Sequence, residues 1–411
     1  MFAAIKTMAR WKIIALIYLI CLLFLLFQGG KTAFMLFCIF NALVIYLIIG
    51  RWSGIGKVSG SRKLGQEGAA QDHTLVAGMR LDVQLNIKIP GIWPIPFVLV
   101  RERLIRANGG ELPFEASYVP RYRGAGAVSY KTPPLERGNY HFAATVCSTQ
   151  DIFGLFEHKG AFDNPAPFSV YPQIVPIRDW QQFRSGGKGP YSTTAIQRSA
   201  KETTQINGVR EYIYGDRLSR IHWNATAKTG QWKSKEFERE SLPRTIFVLD
   251  RYEAGYGNGA AFELAVSAAA SMIQFAFKRS ASIGLLSAGS DGMMPEQAPN
   301  QLQLIMNHLV RVQPDGQVPL YRMLRQSEGA LPYGAFVVII SPQQGEEAIL
   351  AMEWLARRGA APLLIHVQDG HAAADNGGGA VNWMQLLRRG GIAVHSIGSL
   401  QELPAALEGG K

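Results

Sequence analysis

The amino-acid sequence predicts three parts in order: a two-helix transmembrane hairpin, a small all-β sandwich-like domain, and an α/β domain with a mostly parallel sheet. Two apolar runs without acidic residues begin the chain, short segments of alternating polarity follow, and strand-like segments then alternate with helix-length ones. We predict a hairpin over 1–50, a juxtamembrane linker over 51–75, a β-rich domain over 76–180, a motif-rich region over 181–244 and the α/β domain over 245–411.

The apolar runs at 11–27 and 33–50 are each nearly long enough to cross a hydrocarbon core at about 1.5 Å per residue. The short link 28–32 makes them antiparallel neighbours, so that Asn41 can bond across to the first helix. A cleaved signal peptide also begins with basic residues, but no small-residue cleavage site follows the first run. We therefore expect two retained spans in a cell membrane.

The distribution of charge predicts the orientation of these spans. The chain has a formal net charge of +11, and residues 1–63 hold eight Lys or Arg and no acidic residue. Only Lys31 lies in the link, so the positive-inside rule places both termini and the soluble portion in the cytoplasm. The rest of the chain has a small positive surplus, and we expect no nucleic-acid partner.

Short strands are predicted through the middle of the chain. Apolar and polar residues alternate over 79–89, which indicates a half-buried strand. Further strand-like runs follow at 95–106, 114–122, 126–133, 139–147 and 167–171. Gly, Pro and Asn separate these runs, as is typical of an antiparallel sandwich or barrel. Residues 51–75 are rich in Gly, Ser and charge, which indicates a linker.

The rhythm changes at Thr245. Strands are predicted at 245–250, 282–289, 335–341, 362–368 and 392–398, and helices at 260–277, 301–311, 346–358 and 381–389. Alternating strands and helices indicate βαβ units, whose parallel sheet is covered on both faces.

The densest cluster of polar and aromatic residues lies at 209–237. Asp216 is predicted to pair with Arg210 or Arg220, and His222 would then be the acid or base of a polar site. The alternative is a structural network that fixes a loop without chemistry. The candidate residues are Arg210, Tyr212, Gly215, Asp216, Arg220, His222, Trp223 and Lys228.

No catalytic nucleophile or metal motif is evident. The sequence has no GxSxG, HExxH or P-loop pattern. Its three cysteines give neither a disulfide framework nor metal-ligand spacing. His141 and Cys147 are placed too far apart along one predicted strand to form a hydrogen bond.

Two stretches resemble bacterial membrane proteins grouped as domain of unknown function fifty-eight. The first comprises Arg137–Tyr140, Asp151–Phe156 and Val170–Pro172. The second comprises Arg210–Tyr212, Gly215–Asp216, Arg220–Trp223, Thr226–Lys228 and Lys235–Glu240. The resemblance implies a von Willebrand factor A-like fold for the α/β domain. It also implies a MoxR-type AAA+ ATPase and a transglutaminase-like membrane protein as partners. It supplies no catalytic residues.

A metal-ion-dependent adhesion site begins with Asp-x-Ser-x-Ser, whereas this chain has Asp250 followed by Tyr252 and Ala254. A hard cation needs several oxygen ligands, so we expect no metal and no cofactor at this degenerate site. A partner at this edge of the sheet would instead contact the side chains of Asp250, Tyr252 and Glu253.

Three functions are consistent with these features. The first is a membrane-anchored, non-enzymatic scaffold that binds the AAA+ ATPase and supports assembly or maturation of an envelope-associated complex. The second is a cell-envelope enzyme that uses Asp216 and His222. The third is a binder of anionic lipid or nucleic acid through the basic stretch 210–235, because residues 196–244 hold ten basic and six acidic residues.

Overall fold

The computed structural model describes residues 2–50, 53–66, 74–91, 95–121, 125–185, 202–214, 216–239, 245–279, 281–287, 302–368 and 380–408. The chain divides into two compact units, Met1–Tyr171 and Pro172–Lys411.

The first unit begins with the helical hairpin. Helix α1 spans Phe2–Gln28 and α2 spans Gly30–Gly50. The predicted five-residue link is reduced to Gly29, whose φ of 59° lies in the left-handed region that favours glycine. Residues 30–32 belong instead to the first turn of α2, where the amide N–H groups have no hydrogen-bond acceptor within the helix. Tyr18 donates a hydrogen bond to Asn41 Oδ1 at 3.3 Å, which is the expected bond across the hairpin.

Two candidate membrane spans, Arg10–Gln28 and Gly30–Lys57, have the length and hydropathy to cross a bilayer and are only 11 % buried. The chain is therefore consistent with membrane anchoring through its N-terminal helices. A third apolar helix, Gly259–Lys278, has 20 residues but is 72 % buried in the second unit, which identifies it as a core helix.

The remainder of the first unit is β-rich, as predicted. Its strands are β1 Ser59–Gln66, β2 Leu81–Lys88, β3 Val98–Arg106, β4 Glu111–Tyr118, β5 Ala125–Lys131, β6 Gly138–Phe142, β7 Thr145–Gln150, β8 Glu157–Phe162 and β9 Phe168–Val170. All are antiparallel in two sheets, β1-β2-β5 and β8-β7-β3-β6-β9, with β4 paired to β3. Apolar residues from both sheets share two cores, which is the packing of a sandwich.

Strand β1 lies inside the segment predicted as a linker. It pairs with β2 from Ser59↔Lys88 to Gln66↔Leu81. Both β1 and the equally unpredicted β8 are edge strands, and their polar sequences lack the apolar alternation that marks a half-buried strand. The predicted strand 139–147 is also two strands, so His141 lies in β6 and the buried Cys147 in β7.

The second unit opens with a segment predicted to belong to the β-rich domain. Residues 172–180 lead into the short helix α3, Gln181–Ser185. Trp180 is fully buried against Phe247, Phe275 and Phe336, and Val175 N–H donates to Ser271 Oγ at 3.1 Å. The boundary between units therefore falls at 171/172, ahead of the predicted one.

An antiparallel pair follows, β10 Glu202–Glu211 and β11 Lys233–Arg239, with helix α4 Trp223–Thr229 between its strands. We call residues 208–239 the signature hairpin.

The rest of the second unit is α/β, as predicted. Its elements are β12 Thr245–Leu249, α5 Gly259–Lys278, β13 Ile283–Ser287, α6 Leu302–Arg311, α7 Leu320–Gln326, β14 Phe336–Ser341, α8 Gly345–Arg357, β15 Ala361–Val367, α9 Ala380–Arg389, β16 Ala393–Ile397 and α10 Glu402–Leu407. The five strands are parallel in the order β13-β12-β14-β15-β16. The strand order reverses between β12 and β14, where open α/β sheets commonly bind ligands.

Candidate functional site

The signature hairpin is held by a turn around Asp216. Arg210 donates to Asp216 Oδ1 at 2.7 Å, and Ile213 N–H donates to Oδ2 at 3.2 Å. The Arg210 hydrogen bond, followed by that from Ile213, holds the pKa of Asp216 below its ordinary value. Asp216 N–H also donates to the Ile213 carbonyl at 3.0 Å. Arg210, one of the two predicted partners, thus fixes the turn. Gly215 lies outside the described residues.

His222 begins helix α4. Its Nδ1 accepts a hydrogen bond from Ala225 N–H at 3.1 Å, which is the geometry of an N-terminal cap. Its own N–H donates to the Lys233 carbonyl at 2.8 Å and so ties α4 to β11. In the described part of the hairpin, no hydrogen bond or ion pair joins His222 to Asp216. The two residues therefore serve separate turns and do not form an acid–base pair.

The other predicted residues surround these turns. Tyr212 N–H donates to the Trp232 carbonyl at 2.9 Å, and the two rings lie 5.7 Å apart. Trp223 is the first residue of α4, and its ring lies 6.2 Å from that of Trp232. Lys228 is exposed in the last turn of α4, and Arg220 ends a 3₁₀ turn that precedes the helix.

Large apolar side chains project from this polar framework. Between residues 213 and 232, five of them are more than half exposed: Ile213 (64 %), Tyr214 (100 %), Leu218 (67 %), Trp223 (64 %) and Trp232 (53 %). We call these five residues the exposed signature residues. Such a concentration is typical of a surface that contacts another molecule. The sequence prediction included Trp223 but missed Ile213 and Leu218, although apolar residues in a polar loop are a detectable signal.

Positive charge in the same hairpin is partly neutralised within it. Arg210 is paired to Asp216, and Lys233 Nζ lies 3.3 Å from Glu211 Oε1. Because of these pairs, fewer positive charges are available to bind the phosphate groups of a lipid or a nucleic acid than the basic composition of 210–235 suggested.

Asp250 lies at the reversal of strand order, directly after β12. Its Oδ2 accepts from Ser341 Oγ at 2.6 Å and its Oδ1 from Tyr252 N–H at 2.9 Å. Asp250 is only 1 % exposed, so a partner cannot reach its carboxylate, contrary to the expectation from the sequence. Tyr252 is half-buried. Within the described ranges, no three His, Cys, Asp or Glu side chains are grouped to hold a metal.

A second carboxylate secures the loop that adjoins Asp250. The buried Arg251 lies 2.5 Å from Asp315, and its Nε donates to the Gln313 carbonyl at 2.8 Å. Gly316 N–H donates to the Arg251 carbonyl at 2.8 Å, so the loop after α6 packs along the residues that follow β12. The loop after α6 and the residues after β12 are thus joined by an ion pair and by hydrogen bonds to the backbone.

Replacing Asp250 with asparagine is expected to stabilise the protein at pH 7 by about 1–3 kcal/mol. Burial raises the pKa of Asp250 to about 6 from an ordinary 3.8, despite the hydrogen bond from Ser341. The folded state therefore binds the proton more tightly than the unfolded state, and stability falls as pH rises from about 4 to about 6. Asparagine carries no charge, so the stability of the Asp250→Asn variant does not fall in this pH range.

Urea unfolding of the full chain in detergent, measured between pH 4 and pH 8, checks this. The free energy of unfolding of Asp250→Asn should not fall as pH rises, and it should equal the wild-type value near pH 4. Glu253→Gln, an exposed neighbour, should leave the pH dependence unchanged. A wild-type stability that rises through this window would contradict the assignment.

Together, the helical hairpin, the β-rich region and the parallel sheet define a protein with apolar N-terminal helices and two folded units. The second unit carries a surface rich in exposed aromatic side chains. The family model described as "Protein of unknown function DUF58" matches residues 208–373, which begin at the signature hairpin and extend through β15.

The chain is also similar to "Uncharacterized protein YeaD" of Bacillus subtilis (strain 168). The two are 26 % identical over 328 residues, which cover 78 % of this chain and 79 % of the relative.

Among solved structures, the C-terminal domain of wzt matches 29 % of this chain and 77 % of its own chain at 10 % identity and a TM-score of 0.25. The structural genomics target SoR45 matches 30 % of this chain and 95 % of its own, at 11 % identity and a TM-score of 0.20. TM-scores this low carry no conclusion about fold or function.

Proposed function

We propose that this chain is a membrane-anchored, non-enzymatic scaffold that presents its signature hairpin to a protein partner. The observation that carries the proposal is the exposure of five large apolar side chains on a hairpin that hydrogen bonds and caps hold in shape. Aromatic residues fixed before binding lose little conformational freedom when a partner covers them. Asp216 and His222 support these side chains as parts of the framework.

The partner that we propose is a MoxR-type AAA+ ATPase, with a transglutaminase-like membrane protein as a further component of the complex. This choice rests on the resemblance to the family. It agrees with the positive residues beside the spans, which favour a soluble portion in the cytoplasm, where ATP is available. In this arrangement the scaffold supports assembly or maturation of an envelope-associated complex.

We also propose that the α/β part is von Willebrand factor A-like. Its support is the parallel sheet with an aspartate after the first strand at the reversal of strand order. In this chain both carboxylate oxygens of Asp250 are engaged by protein donors, so the aspartate serves the fold. Contact with a partner is therefore assigned to the hairpin, whose side chains are accessible.

A photo-crosslinking amino acid at Tyr214, which is fully exposed, tests the proposal in native membranes. We expect an adduct with the AAA+ ATPase whose yield depends on ATP. The matched control is the same probe at Tyr333, 59 % exposed elsewhere in the second unit, which should give no such adduct. Equal yields of the adduct at both positions, or no adduct at Tyr214, would contradict docking of the ATPase on the signature hairpin.

The double substitution Trp223→Ala/Trp232→Ala is expected to weaken partner binding more than tenfold. Truncating central aromatic residues of an interface typically costs about 2 kcal/mol or more, and about 1.4 kcal/mol corresponds to a factor of ten. Both side chains are more than half exposed, so the free energy of unfolding should change little. Co-purification with the ATPase measures the loss. Asn224→Ala, an exposed substitution on the same helix, is the control. Unchanged binding by the double variant would refute the proposal.

A further inference from the structure

The loop between β7 and β8, residues 151–156, is built around one carboxylate. Asp151 accepts hydrogen bonds from the N–H groups of Phe153 at 2.8 Å, Leu155 at 3.2 Å and Phe156 at 2.6 Å. Gly154 has a φ of 66°, a left-handed conformation that favours glycine. These bonds stabilise the conformation in which Ile152 and Phe153 are exposed.

The same loop packs on the helical hairpin. Phe156 is 5 % exposed and shares a cluster with Ile14 of α1 and Leu47 of α2. Its ring lies 4.9 Å from that of Trp11, and Arg10 donates to the Leu155 carbonyl. On the other helix, Tyr46 Oη accepts from Ile152 N–H at 3.4 Å, and its ring lies 6.2 Å from that of Phe153. The loop therefore contacts both helices.

These contacts place the loop at one end of the membrane spans. Arg10 and Trp11 begin the first candidate span, Arg10–Gln28, and Tyr46 lies in the last turns of α2, Gly30–Gly50. Trp and Tyr concentrate where a bilayer meets water, because their rings are apolar and their N–H or O–H groups are polar. The side chains that the loop contacts thus mark the interfacial level of the hairpin.

Two large apolar side chains of the loop have little protein around them at this level. Ile152 is 71 % exposed and Phe153 is 56 % exposed, although both adjoin the membrane spans. An apolar side chain at the interfacial level is removed from water by the acyl chains around it.

We propose that residues 151–156 form a membrane-contact loop, which inserts Ile152 and Phe153 into the lipid–water interface beside α1 and α2. The ligand of this surface is the bilayer itself. The loop adds a third attachment to the two helices and fixes the β-rich strands relative to the membrane plane. Asp151 is a positioning residue, because it holds the loop in the shape that exposes the two side chains.

The test uses the full chain in lipid vesicles, with a nitroxide attached at Phe153→Cys. The background carries Cys21→Ala and Cys38→Ala, while Cys147 is fully buried and stays in place. Collisions of the nitroxide with oxygen, which dissolves in lipid, are compared with collisions with a water-soluble nickel chelate. The matched control is a nitroxide at Val119→Cys, an apolar position after β4 that is 72 % exposed.

We expect the nitroxide at 153 to favour oxygen several-fold more strongly than the nitroxide at 119. Adding Asp151→Ala should raise the mobility of the label and reduce its preference for oxygen, whereas Glu157→Ala in β8 should leave both unchanged. Nickel accessibility at 153 equal to that at 119 would overturn the proposal. So would protection from both reagents, because the loop would then be covered by protein.

Discussion

Replacing Glu102 with alanine is expected to destabilise the β-rich part of the first unit by about 3–5 kcal/mol, because it leaves a buried guanidinium without its counter-charge. Arg62 in β1 and Glu102 in β3 are 2.5 Å apart, with side chains 0 % and 1 % exposed. Thr145 donates to Glu102 at 2.6 Å, and Tyr130 donates to it as well. Removing the carboxylate takes the shared acceptor away from Arg62, Thr145 and Tyr130, although Arg62 keeps its bonds to the Asn164 carbonyl and to Thr145 Oγ1.

Amide hydrogen exchange of the full chain in detergent measures this effect by region. Peptides from β1, β3 and β7 should lose protection in Glu102→Ala, while those from the second unit should not. The exposed pair of Arg101 and Glu115, 3.4 Å apart, supplies the control, and Glu115→Ala should cost about 1 kcal/mol or less. The double variant Arg62→Met/Glu102→Leu should recover much of the loss, because it removes both charges. Equal effects of Glu102→Ala and Glu115→Ala would show that the buried pair is dispensable.

Replacing Trp180 with alanine is expected to destabilise the second unit by about 3–5 kcal/mol, as for other fully buried aromatic residues. The indole is 0 % exposed, with ring centroids 5.2 Å from Phe183, 6.4 Å from Phe247, and 5.9 Å from both Phe275 and Phe336. It therefore attaches the segment before α3 to strands β12 and β14 and to helix α5. Its removal opens a cavity among these rings.

Urea unfolding of the full chain gives the magnitude, and hydrogen exchange gives the location. Protection should fall in β12, β14 and α5 and remain unchanged in β1–β9. Trp223→Ala is the matched control, because that indole is 64 % exposed and its removal should change stability by about 0.5 kcal/mol or less. If the two tryptophan variants were equally stable, the segment 172–180 would not be part of the second unit.

The two tryptophans differ in burial: Trp180 is 0 % exposed and Trp223 is 64 % exposed. Trp180 packs among buried phenylalanines, whereas Trp223 is held outward by a capped helix of the signature hairpin. Two phenylalanines of the first unit show the same contrast. Phe156 packs on the helical hairpin of α1 and α2, whereas Phe153 is exposed beside it. In both units a group of hydrogen bonds to an aspartate holds a turn that bears exposed apolar side chains, at Asp216 in one unit and at Asp151 in the other.

The parts that were predictable from the sequence are those with a local pattern. Two apolar runs gave the helical hairpin, the alternation over 79–89 gave β2, and continuous apolar runs gave the buried strands of the parallel sheet. Each pattern reflects the environment of one element, because side chains repeat every two residues in a strand and an apolar run of helical length can span a bilayer. The sequence also located the motif at 209–237, although it left its role open.

The tertiary structure decided which residues meet. It made β1 a strand, although its sequence is polar: β1 pairs with β2, and its Arg62 is buried against Glu102 of the other sheet. It bonded Arg210 to Asp216, with the charge of Arg220 also acting on this carboxylate, used His222 as a helix cap, and buried Asp250 under Ser341 and Tyr252. It also brought the loop 151–156 to the ends of two helices more than a hundred residues earlier in the chain. Pairings between distant segments leave no periodic trace in either segment, because their geometry depends on how all the intervening elements pack. The sequence therefore determined the order of the three parts and those elements that have a local pattern, whereas the tertiary structure determined the polar edge strands, which side chains are buried partners and which remain exposed.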